Sequence, residues 1–131
     1  MTQPTFLQLP VNADEGFPQA FRFTTGSNAY TVTLQVTVAE ELLPTPGAPA
    51  GTDDRLNAVL DLPQPGAFIV ATLTRDDAVG GTVLLRRKLV PDLVYRAGEL
   101  LLTVQSMQVA MRNLGGPGSY GSQVVAGVAL R

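Results

Sequence analysis

The sequence contains no cysteine, which excludes disulfides and thiolate metal sites. It contains no histidine either. That removes the commonest metal ligand, the commonest general base and the usual switch near neutral pH. Tryptophan is absent as well, and aromatic residues amount to five phenylalanines and three tyrosines. Charge is scarce: Asp, Glu, Lys and Arg make up 15% of the chain, against about 25% in an ordinary globular domain. The formal net charge is −2, so no basic field favours nucleic acid or an anionic membrane. The opening MTQPTFLQLP has neither a basic start nor a long apolar run, so no signal peptide is expected. No segment reaches the ~18–20 apolar residues of a membrane span. A soluble chain made in the cytoplasm is the expectation.

The 131 residues suit one domain that withdraws roughly two-thirds of its unfolded surface from water, enough for a core without staples. The clearest signal is Tyr30–Val38, YTVTLQVTV. Tyr30, Val32, Leu34, Val36 and Val38 share one parity, and three threonines and Gln35 share the other. A helix would scatter those apolar residues around its circumference, whereas a strand gathers them on one face. The β-branched and aromatic content favours the same answer.

Weaker copies of that pattern fill the chain. Strands are expected over Thr5–Leu9, Ala20–Thr25, Leu56–Leu62, Ala67–Arg75, Thr82–Val90, Leu100–Val104 and Gln123–Leu130. Ala20–Thr25 and Tyr30–Val38 form a hairpin with a loop of about four residues around Gly26-Ser27-Asn28. Ser106–Asn113 fits both periods and is read as a strand. Arg96–Glu99 reads as a turn. Residues 39–55 carry prolines 44, 46 and 49 and form a long Pro/Gly-rich loop. Residues 115–121, GGPGSYG, form a second, glycine-rich loop. About seven to nine short strands without a confident helix predict an all-β single domain, either an antiparallel barrel or a two-sheet sandwich.

Candidate chemistry is sparse. Asp53-Asp54, Asp76-Asp77 and Glu40-Glu41 are acidic pairs. Carboxylates can hold a hard metal or act as acid and base, but adjacent strand residues point oppositely and DxDxDG spacing is absent. These are read as solvated turn acids, with no metal and no cofactor. Ser27, Ser106, Ser119 and Ser122 lack a GxSxG elbow, and a Ser-His-Asp triad is impossible without histidine. A serine–lysine dyad would depend on Lys88, the sole lysine. The glycine-rich loop lacks the Lys-Ser/Thr of a phosphate loop and reads as a mobile connection with an exposed Tyr120. Arg86-Arg87-Lys88 is the only basic cluster. Arg87 interrupts the row of Val83, Leu85 and Leu89, which places an edge, a bulge or a partner contact there.

The order of features in FRFTTGSNAYTVTLQV, a Phe-rich strand turning into one that opens on Tyr, resembles the start of small bacteriophage baseplate plug proteins. The later RRKLVPDLVYRAGELLL resembles the same family, in which a leucine-rich strand runs into Leu-Val-Pro/Gly and an apolar patch. The resemblance covers about residues 19–104, and the insertion at residues 39–55 and the glycine-rich C-terminus depart from it. It implies a structural virion component near the junction of tail tube and baseplate, assembled in the host cytoplasm. Its partners would be other copies of itself and neighbouring tail proteins, with no specific nucleic acid and no membrane insertion. Arg86, Arg87, Lys88 and Tyr120 are the expected subunit contacts. Two alternatives remain open: a small β-sandwich module that binds a ligand or peptide, and a carboxylate-only enzyme.

Overall fold

The structure is a computed structural model and describes residues 5–43, 57–77 and 80–131. These form a two-sheet antiparallel β-sandwich. The strands are β1 (Leu7–Gln8), β2 (Gln19–Thr25), β3 (Asn28–Val38), β4 (Val59–Asp61), β5 (Ala67–Arg75), β6 (Thr82–Lys88), β7 (Val94–Ala97), β8 (Leu100–Ala110) and β9 (Gln123–Leu130). One sheet runs β2-β3-β5-β6. The other runs β1-β9-β8-β4, with β7 also paired to β8. The described segments are all-β, with only short 3-10 turns at Ala13–Glu15, Glu40–Leu42 and Met111–Leu114. The sandwich, rather than a closed barrel, is the realised alternative.

Alternation in β3 places its apolar parity inward. Tyr30, Val32 and Leu34 are buried, while Val36 and Val38 are half-buried. The strand pairs with β2 on one side and with β5 on the other, so Ile69, Ala71 and Leu73 of β5 continue the same inner layer, fully buried. Leu102 and Val104 of β8 and Val124, Ala126 and Val128 of β9 close the core from the opposite sheet. Interdigitation of two inner faces is what such a sandwich requires.

The β2–β3 connection is tighter than composition alone suggested. Thr25 pairs with Asn28, leaving a two-residue loop of Gly26-Ser27. Gly26 has φ +61°, as the first central residue of a II′-type turn needs, and that turn matches the twist of the flanking strands.

Two bulges explain where parity failed. In β8, Val104 pairs with Ala126 and Ser106 with Val125, so Gln105 is an extra, exposed residue. Leu100, Leu102 and Val104 point inward before it, and Met107 and Val109 after it. The two segments expected at Leu100–Val104 and Ser106–Asn113 are therefore one strand, and only Met111–Leu114 turns helical, as 3-10. In β6, Leu85 pairs with Leu73 and Val83 with Thr74, so Leu84 is the extra residue. The bulge thus sits at Leu84, not at Arg87, and it turns Val83 outward to 62% exposure.

Other boundaries also moved. Residues 94–97 extend as β7, and only Gly98-Glu99 turns. Of the strand expected over Leu56–Leu62, Leu56 lies outside the described residues and the rest contains β4, with Leu60 and Leu62 buried. The strand expected at Thr5–Leu9 shrinks to β1, although the Leu9 N–H still donates to the Ala126 carbonyl at 2.8 Å. Asp53, Asp54 and most of the Pro/Gly-rich loop lie outside the described residues.

Candidate functional site

The basic cluster lies on an edge. β6 is the last strand of its sheet, and Arg86, Arg87 and Lys88 pair in register with Thr72, Ala71 and Val70. Arg87 shares the inward parity of Ala71, yet at a sheet edge its long stem escapes sideways. Its guanidinium rests 5.6 Å from the centre of the Tyr95 ring. Lys88 sits 5.0 Å from the Phe68 ring. Contacts of this kind contribute about 0.5–1 kcal/mol at exposed sites. The Tyr95 hydroxyl accepts from the Val90 N–H at 2.7 Å and reaches the Lys88 carbonyl at 3.3 Å, so the chain leaving β6 is tethered. Among the described residues none of the three cations has a carboxylate partner.

Tyr120 stands elsewhere, in the glycine-rich loop beside the other sheet, and is 42% exposed. The Arg112 guanidinium lies 5.8 Å from its ring and donates to Asn57 Oδ1 at 3.0 and 3.2 Å. No contact among the described residues links this group to the basic edge, so the four expected contact residues form two separate patches.

The glycine-rich loop is latched rather than free. Asn113 is fully buried. Its side-chain amide donates to the carbonyls of Gly116 and Gly118, at 3.3 and 3.0 Å. Its Oδ1 accepts from the Ser122 hydroxyl at 2.5 Å, and Ser122 Oγ accepts from the Ala110 N–H at 2.6 Å. The Asp14 carbonyl accepts from the Gly118 N–H at 2.8 Å. Sequence reading missed this anchor because a single Asn beside glycines looks like any turn residue.

Of the acidic pairs, Asp53-Asp54 lies outside the described residues, and Asp76 and Asp77 are each held by partners of their own. Asp76 meets Arg22 at 3.2 Å and the Thr31 hydroxyl at 3.0 and 3.1 Å. Asp77 accepts from Thr82 and from Arg75 Nε, and these hydrogen bonds, Thr82 first, hold its carboxyl below the usual carboxylate range. Among the described residues no group of three potential metal ligands occurs.

A third cluster was invisible in the sequence. Glu99, read as a plain turn residue, accepts from Arg75 Nη1 at 2.6 and 2.9 Å and from the Tyr30 hydroxyl at 2.7 Å. Arg75 first, then Tyr30, lowers its carboxyl to about 2. Burial, together with the Glu99 carboxylate, raises the Tyr30 phenol. The cluster ties β3 and β5 of one sheet to the β7–β8 turn of the other, with Phe23 stacked on Tyr30 at 5.2 Å. Its groups satisfy one another and fasten the two sheets together.

An open depression of about 410 Å³ is lined by Phe17, Pro18, residues 35–38, Leu43 and Leu114, and another of about 330 Å³ by Met111, Arg112, Gly115, Gly116, Pro117 and Tyr120. The space between the sheets is almost filled, with about 10 Å³ free among Val32, Leu34, Ala71, Leu102 and their neighbours.

Comparison with protein-family models, with curated proteins and with solved structures finds no match. The class the geometry defines is an all-β antiparallel sandwich, with nine strands among the described residues.

Proposed function

We propose that this chain is a structural subunit of a phage tail or phage-tail-like particle, placed at the tube–baseplate junction. It acts by self-association and by docking on neighbouring tail proteins. The observation that carries the reading is the outer face of the four-stranded sheet. Its two central strands present Thr31, Thr33, Gln35 and Thr37 beside Phe68, Val70, Thr72 and Thr74, with no charge among them. The central strip of that face is uncharged and is suited to burial against protein, while Arg22 of β2 and Arg86 and Lys88 of β6 share its outward parity and flank it as a charged rim. The scarce charge of the whole chain and the resemblance of residues 19–104 to baseplate plug proteins support the same reading. It requires no catalytic group, no cofactor and no membrane.

Mass spectrometry of tail particles purified from the lysate of the host carrying the gene tests it. The chain is expected in intact tails at a fixed copy number per particle. Its absence from tails, with the protein present in the lysate, overturns the proposal. The open depression beside Phe17 and Leu43 favours the ligand-binding alternative, for which a saturable shift of nearby amide resonances by a small-molecule or peptide library is the expected signature.

A further inference from the structure

The edges of the sandwich are guarded unequally. A free edge offers unpaired N–H and C=O groups, and proteins blunt it with prolines, bulges, short length or charge. β1 has two residues and Pro10 after it; β4 has three. β7 has four, with Pro91 shortly before it. β6 carries a bulge and three cations. β2 is guarded least: seven residues, no bulge, a single charge, Arg22, and no proline within the strand, although Pro18 immediately precedes it.

The direction of its free groups follows from the hairpin. In a two-residue turn the flanking pair, Thr25 and Asn28, exchanges hydrogen bonds, and so do Phe23/Tyr30 and Phe21/Val32, in alternation. The carbonyl of Ala29 accepts from the Asp76 N–H, on the β5 side of β3, which fixes Thr24/Ala29 as a non-bonded pair. The N–H and C=O groups of Ala20, Arg22 and Thr24 therefore point away from β3. Among the described residues nothing bonds them.

We propose that β2 pairs antiparallel with β2 of a second copy of this chain, about a two-fold axis at Arg22, joining two four-stranded sheets into one of eight. A symmetric contact of this kind needs a strand that is its own complement, residue i facing j while j faces i. The run Ala20-Phe21-Arg22-Phe23-Thr24 is close to a palindrome. Centred on Arg22, it sets Ala20 against Thr24 and Phe21 against Phe23. All three residues with free backbone groups become hydrogen-bonded pairs, and half-buried Phe21 and Phe23 gain aromatic neighbours. Two opposed arginines would normally repel, but each Arg22 brings its own Asp76 at 3.2 Å, itself held by Thr31. The four charges cancel. Pairing β2 with β6 instead would set Arg22 near an unpaired run of cations and across a bulge. This deepens the assembly reading above by naming the surface, and it rests on that reading only in that both need copies of the chain to meet.

Sedimentation of the purified chain up to about 200 μM is expected to show twice the 13.8 kDa protomer mass. Ala20→Pro removes an N–H that faces the free edge, where proline is tolerated. It is expected to leave the circular dichroism spectrum intact and weaken the dimer more than tenfold. Because the chain has no cysteine, Arg22→Cys is expected to give a disulfide-linked dimer on mild oxidation, while Ser27→Cys, far from the axis, is not. A wild-type monomer throughout that range overturns the proposal. A dimer unaffected by Ala20→Pro, with no Arg22→Cys cross-link, overturns this interface and leaves the assembly reading standing. So does a monomer that is nevertheless found in purified tails. If Ala20→Pro fails to fold, the cross-linking pair decides alone.

Discussion

Removing the Glu99 carboxylate tests how the two sheets are fastened. Glu99 holds Arg75 and the Tyr30 hydroxyl at once, and its carboxyl is lowered from 4.5 to about 2. Taken at face value, that difference corresponds to about 3 kcal/mol of preference for the charged form in the fold. The side chains of Glu99 and Arg75 are 32% and 29% exposed, so solvent screens the pair, and about 1 kcal/mol is the better expectation. Glu99→Gln keeps an acceptor for Tyr30 and loses the charge. It should lower the melting temperature at pH 7 by about 3–5 °C, given a domain of this size. Glu99→Ala also strips the acceptor from the hydroxyl of a residue with no exposed surface, and should cost about 2–3 kcal/mol in all. The sign of the pH dependence follows from a folded value below the unfolded one. The contribution is complete above the unfolded value near 4.5 and is lost as pH falls toward about 2. Thermal unfolding followed by circular dichroism should therefore show wild type and Glu99→Gln converging between pH 5 and pH 2. Equal melting temperatures at pH 7, or a gap that persists unchanged to pH 2, would refute the reasoning.

Gly16→Ala should be severely destabilising, by about 2–4 kcal/mol. A Cβ there would lie 2.7–2.8 Å from backbone atoms of Asn113 and Gly116, and φ is +87°; chemical denaturation measures it. Ser122→Ala should cost about 1–3 kcal/mol, because it strands the Ala110 N–H and the buried Asn113 Oδ1. Faster hydrogen exchange confined to residues 115–121 and their contacts is the expected readout. Ile69→Ala, at a side chain with no exposure, should cost about 2–5 kcal/mol, whereas Val83→Thr, turned outward by the β6 bulge, should stay within about 0.5 kcal/mol. Equal losses at both positions would contradict the assignment of faces.

What could be read from sequence was set by period. β3 declares itself because an unbroken alternation of two forces one face inward, whereas β5 and β9 are short, largely apolar runs bounded by turn signals, and both match their expected bounds residue for residue. Where one extra residue enters, the parity rule inverts, and nothing in QSM or VLLR marks the insertion. That is why β8 looked like two segments and why Val83 was placed with Leu85. The basic run Arg86-Arg87-Lys88 was legible as an edge because three charges cannot be buried mid-sheet. Glu99, Arg75 and Tyr30 were not legible as a cluster, since 24 and 69 residues separate Arg75 and Tyr30 from Glu99. Only the stacking of two sheets brings them together. Asn113 was hidden for a similar reason, its partners being backbone carbonyls that any sequence supplies.

The two edges of the four-stranded sheet bear on function through their contrast. A soluble sandwich acting alone gains by guarding both edges, since either one can template aggregation. Here β6 carries cations over Tyr95 and Phe68 together with a bulge, while β2 carries alternating phenylalanines and one arginine already matched to Asp76. Protection of one edge makes the exposure of the other selective, because pairing can then proceed in one place and in one register. Introducing a second guard should expose that selectivity. Thr24→Lys, on the outer face beside Arg22, adds an unmatched cation next to the proposed axis without touching the β2–β3 hydrogen bonds. It should leave the melting temperature of the dilute chain within about 1 °C, as expected of a surface substitution, while suppressing self-association at high concentration. A variant that associates as readily as wild type would mean that β2 is not the surface on which copies meet.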